Sequence, residues 1–100
     1  MDGDRLMSTE AIDNAIKEQV YGHDLTLNSP MRWGVGFMLV SKERPLGPNP
    51  RTFGHAGVGG SLGIADLDAR VSWSYVMNRL VMRSGDDRAS RISKALYATL

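Results

Sequence analysis

The residues of this 100-residue chain best suited to chemistry stand in one run, Gly54-His55-Ala56-Gly57-Val58-Gly59-Gly60. His55 is a titratable side chain ringed by glycines, and glycine lets a ligand or a second backbone approach closely. A polar side chain beside exposed backbone N–H groups makes a wall for a carbonyl or carboxylate ligand. The same pattern also fits a β-bulge or tight hairpin that carries His55 as a satisfied polar residue. A phosphate-binding loop fits less well. Leu62 stands where the third glycine of G-x-G-x-x-G would follow Gly57 and Gly59, and there is no G-K-[ST].

Other candidates are weaker. His23 beside Asp24 lies in a polar stretch, and the two histidines form no H-x-x-x-H or H-E-x-x-H pattern, so no metal is expected. Without cysteine there is no disulfide, thiolate or Cys-based metal site, and no cofactor is implied. Asp66 and Asp68 could be imagined as an acid/base pair, but two acids in a hairpin more often bond their own backbone. Asp86-Asp87 complements a helix dipole. Trp33, Trp73 and Tyr75 read as core and sheet-surface residues. Only Arg32, Arg70 and Arg79 lie near them, which is thin support for stacking on RNA. A compact site of His55 with Asp66 or Ser61 would need residues of a single hairpin to converge on one pocket.

The elements that must position these residues follow from spacing. Ser8 or Thr9 caps a helix beginning near Glu10, with Ile12, Ala15, Ile16, Gln19 and Val20 on one face and Gly22 as its stop. Residues 23–31 form a polar connection. A strand is expected over 33–40, with Trp33, Val35, Phe37 and Leu39 on one face. Gly34 and Gly36 on the other face suggest close packing against the backbone. The loop 41–51 contains Pro45, Gly47, Pro48 and Pro50 and reads as exposed and the least ordered interior part. Three strands follow, over 52–58, 61–65 and 70–80, with a turn at Asp66-Leu67-Asp68-Ala69. Gly85-Asp86-Asp87 opens a last helix with Ala89, Ile92, Ala95, Leu96 and Leu100 as its apolar stripe. The expected fold is α+β: an antiparallel sheet of about four strands with an N-terminal and a C-terminal helix.

Composition sets the outer bounds. One hundred residues with 42% hydrophobic content make one domain, or part of one, with a thin core. Twelve basic and eleven acidic residues, scattered, give +1 and no reason to expect nucleic acid or an anionic membrane. The start, Met1-Asp2-Gly3-Asp4-Arg5, lacks the basic and apolar stretches of a signal peptide. No apolar run approaches the ~20 residues of a membrane span. A cytoplasmic protein is expected.

Three stretches resemble the C-terminal part of the serine β-lactamase-like superfamily, which holds class C β-lactamases, DD-peptidases and related esterases. Trp33-Gly34-Val35-Gly36-Phe37 is similar to the family's "YGLGW" strand. Residues 53–66, from Phe53 through His55 to Asp66, are similar to its "GHGGxxGGxxxxxxD" segment. Tyr75-Val76-Met77-Asn78-Arg79 is close to the "YVMNRM" strand of the esterases. The resemblance implies that His55-Ala56-Gly57 occupies the place of the Lys-Thr-Gly motif on the strand lining the active site. His55 would then orient substrate, Gly57 would keep the strand open, and the Val58 N–H would be one of two oxyanion-hole donors. Histidine in place of lysine favours the esterase or peptidase-like branches.

The family's Ser-x-x-Lys nucleophile and Tyr-x-Asn base motif do not occur. Asn14, Leu39 and Arg91 stand three before Lys17, Lys42 and Lys94, and His23, Met77 and Thr99 stand two after Tyr21, Tyr75 and Tyr97. The resemblance therefore implies that residues 1–100 are a single partial domain, the last third of an esterase-type hydrolase acting on a small acyl ester and inactive alone. Its expected partner is the missing N-terminal portion or a second copy of itself. The alternative is a non-catalytic binding or self-assembling module using an exposed sheet edge.

Overall fold

The computed structural model describes residues 6–82 and 86–100, so the expectations for Met1 to Arg5 and for Gly85 lie outside the described residues. The order of elements is α1 (Thr9–Ala15), β1 (Val20–Asp24), β2 (Ser29–Trp33), β3 (Met38–Leu39), β4 (Thr52–Ala56), β5 (Leu62–Asp66), β6 (Val71–Tyr75) and α2 (Arg88–Tyr97). The strands lie in sequence order in one sheet, every neighbouring pair antiparallel. The α+β class holds, with six strands where spacing alone suggests four.

The difference arises in the first forty residues. α1 starts as expected, with the Ser8 side chain accepting the Ala11 N–H at 3.1 Å. It ends at Ala15, because the chain beyond it has a better partner. Gln19 N–H donates to the Trp33 carbonyl at 2.8 Å, and Val20 to Asp24 pair in full register with Trp33 to Ser29. Long-range pairing thus overrides the helical spacing of Gln19 and Val20, and Gly22 lies within β1 instead of stopping a helix. The Asp24 carboxylate closes this hairpin by accepting the Thr26 and Leu27 N–H groups at 2.8 and 2.9 Å.

The strand expected over 33–40 is split by a turn. Gly36 takes φ +80°, and the Gly34 N–H donates to Phe37 O at 2.9 Å. Close packing is confirmed at Gly34, where a Cβ would collide with the Ala15 carbonyl oxygen. The loop 41–51 is exposed only in part. Leu46 is in the core, Tyr21 Oη donates to Glu43 at 2.6 Å, and Arg51 pairs with Asp13 of α1 at 2.7 Å. The strand expected over 70–80 pairs only at Val71–Tyr75.

Met31, Met38, Leu46 and Ile64 form the core, with Trp33, Leu62 and Trp73 packed against it. That core is thin, and neither helix contributes a buried residue to it. Ile92, on the apolar stripe of α2, remains 46% exposed. α2 is instead attached by polar contacts at its two ends, from Arg88 and Tyr97. Among the described residues, no helix is long and apolar enough to cross a membrane.

Candidate active site

The candidate segment is one end of the β4–β5 hairpin. His55 pairs with Gly63 and Ala56 with Leu62, and residues 57–61 make the turn. The Gly57 N–H donates to Ser61 O at 2.8 Å, and the Gly60 N–H to Gly57 O at 3.3 Å. Gly59 and Gly60 take φ of +91° and +114°, backbone that an L side chain adopts only under strain. Gly54 serves close approach, since a Cβ there would collide with the Gly63 carbonyl.

His55 is exposed. Its Nδ1 faces the Ala56 carbonyl oxygen, which can only accept, so Nδ1 carries the hydrogen. The Trp33 ring lies beside the His55 ring, centroids 5.5 Å apart and planes tilted by 34°. Trp33 is in turn fixed by its Nε1–H, which donates to Asp24 at 3.0 Å. The Leu27 N–H, joined by Trp33 and Thr26 against the opposing effect of burial, holds the Asp24 carboxyl below its ordinary pKa, so it stays a charged acceptor. The sequence pattern places Trp33 among core and sheet-surface residues. Its second role, setting the wall beside His55, depends on the β1–β2 pairing.

Val58 is 76% exposed, and its N–H donates to none of the described residues. The turn borders a groove of about 1050 Å³ whose lining includes Ala56 to Leu62, Leu46, Met82 and Tyr97. His55 is not part of that lining. The segment therefore divides: Ala56, Gly57 and Val58 border the groove, while His55 projects beside Trp33.

The other candidates do not converge on this site. Asp66 sits at the opposite end of the same hairpin, paired with Thr52 and three residues along β4 from His55, about 10 Å. Its carboxylate accepts from Tyr97 Oη at 2.6 Å, Asn49 Nδ2 at 2.8 Å and Ala69 N at 2.9 Å. Burial pushes its pKa up, but the bonds from Tyr97, Ala69, Asn49 and Asp68 outweigh that and leave it lowered. Burial and the bond to Asp66 push Tyr97 up to about 12. Asp68 caps the Arg51 N–H at 3.0 Å. Asp66 bonds its own turn, as the turn reading has it, whereas Asp68 bonds the distant Arg51 backbone instead. Ser61 faces Gly57, and His23 bonds Asn28 Oδ1 at 3.1 Å, far along the sheet. No group of three or more His, Asp or Glu among the described residues is placed to hold a metal.

A family model described as Beta-lactamase matches residues 1–97. Among solved structures, a family VIII carboxylesterase is 39% identical with a TM-score of 0.89, covering 98% of this chain and 27% of its own. A penicillin-binding protein homologue from Caulobacter crescentus is 40% identical with a TM-score of 0.90, covering 100% of this chain and 27% of its own. EstA from Arthrobacter nitroguajacolicus Rue61a is 28% identical with a TM-score of 0.72, covering 94% and 26%. The chain thus spans about a quarter of the length of these structures. No curated protein matches it.

Proposed function

The chain belongs to the Beta-lactamase family, and from that premise we propose that it forms one wall of the active site of an esterase-type serine hydrolase. In the complete site a serine attacks an ester carbonyl, an acyl-enzyme forms, and water hydrolyses it. This chain contributes the strand His55-Ala56-Gly57, which orients substrate, and the Val58 N–H, which stabilises the oxyanion of the tetrahedral intermediate. The nucleophile and its base come from a segment bearing Ser-x-x-Lys and Tyr-x-Asn, and the chain is inactive without it. The observation that carries this reading is the Val58 N–H, bonded to no described residue and held on a turn at the end of β4. The likeness to a carboxylesterase over 98% of the chain supports the ester as substrate class. The exposed outer strand β6, followed by Val76 at 80% exposure, supports a further segment of the fold as partner.

The test is hydrolysis of a small acyl ester by the chain alone, by a polypeptide carrying both missing motifs, and by the two mixed. Activity is expected only in the mixture. Robust turnover by the chain alone, lost on His55→Ala, overturns the reading.

A further inference from the structure

The glycine turn is held from outside the hairpin. The Gly59 carbonyl accepts from Arg88 Nη2 at 3.1 Å and from the Val81 N–H at 3.2 Å. Arg88 Nη1 donates to the Arg79 carbonyl at 2.8 Å, so one guanidinium joins the turn to the segment after β6. The guanidinium is itself aimed by Asp86, whose two oxygens accept from Nε and Nη2 at 2.8 and 2.9 Å. Asp86 also closes over the turn: a Cβ on Gly60 would come within 2.6 Å of its Oδ2. Gly59 meets Leu80 in the same way, its Cβ position lying 2.7 Å from Cγ.

We infer that Arg88 is the positioning residue for the Val58 N–H, which rests on the oxyanion role proposed above. The link runs through two rigid peptide planes. Arg88 and Val81 fix the carbonyl of the Gly59–Gly60 peptide. The N–H of that same peptide is Gly60 N–H, which donates to Gly57 O. Gly57 O belongs to the Gly57–Val58 peptide, whose N–H is the oxyanion donor. Orienting the first plane therefore orients the second. An external anchor matters because Gly59 and Gly60, both at positive φ, carry no Cβ to restrict their own backbone rotation. Lysine cannot replace arginine here, since a single ammonium cannot meet two carbonyls and both oxygens of Asp86 in a fixed fork.

The test uses the isotope-labelled full chain with Arg88→Gln and Arg88→Lys. In Arg88→Gln, exchange protection of the Gly60 and Val81 N–H groups falls about tenfold or more, while the β4–β5 ladder amides stay within about twofold. The Val58 amide resonance moves with them. Arg88→Lys gives a smaller change in the same direction, and it decides the matter if Arg88→Gln does not fold. A folded variant with unchanged Gly60 protection and an unmoved Val58 resonance overturns the inference. In the mixture with the complementary polypeptide, Arg88→Gln lowers kcat about tenfold and leaves KM within about twofold, as expected for a group acting in the transition state. A loosened turn with unchanged kcat keeps the Arg88 link and removes the oxyanion role from Val58.

Discussion

The two ends of the β4–β5 hairpin are built by opposite rules. At one end Thr52 and Asp66 are each only 1% exposed, and the Asp66 carboxylate accepts from a helix, a loop and its own turn. At the other end Val58 is 76% exposed and leaves its N–H unused by the described residues. The buried end pairs its one charged group, the Asp66 carboxylate, three times within the chain, because an unpaired charge there costs stability. The exposed end leaves a donor unused, and Arg88 reaches the turn bearing it from outside the hairpin. Over five residue pairs one hairpin passes from a buried, hydrogen-bonded end to an end with an unused donor.

Three changes break or sharpen this contrast, from the largest effect to the smallest. Asp66→Ala strands the Tyr97 hydroxyl, the Asn49 amide and the Ala69 N–H together, and should lower stability by about 3 kcal/mol in chemical denaturation. A loss below about 0.5 kcal/mol would mean that this end is no anchor.

Tyr97→Phe removes one bond to Asp66 and should cost about 1.5 kcal/mol, with an effect on the pH profile. Tyr97 is raised in the fold from 10.0 to about 12, so its contribution is full below pH 10 and is lost as pH rises toward 12. Asp66 is lowered, so its contribution is full above the usual carboxylate range and is lost as pH falls through its folded value. Thermal melts against pH should show both limbs in the parent and only the acid limb in Tyr97→Phe.

His55→Gln should change stability by less than about 0.5 kcal/mol, because the ring is exposed. It should still reduce ester turnover in the reconstituted mixture. A large loss of stability would place His55 with the anchors.

Much of the hairpin is legible in the sequence. Gly54, Gly57, Gly59 and Gly60 announced close approach and a turn, and the Asp66 to Ala69 run announced the next one. The resemblance of residues 53–66 to a family segment matched the family that the comparisons identify. The first forty residues were less legible. Val20 carries both helical and strand spacing, and only its pairing with Trp33 decides between them. Trp33 beside His55, and Arg88 beneath the glycine turn, join residues 22 and 29 positions apart, and no local pattern records such contacts.

By itself, then, the sequence determined what depends on local chemistry. It specified the glycine-rich turn after His55, the alternation of β6, the capped start of α1 and the absence of a Ser-x-x-Lys or Tyr-x-Asn motif. Tertiary structure alone decided the six-stranded sheet, the burial of Asp66, the placing of His55 beside Trp33 and outside the lining of the groove, and the hold of Arg88 on the glycine turn. The reason is physical. Propensity and periodicity act over a few residues, whereas pairing partners, burial and the direction of a guanidinium are fixed only when distant segments meet.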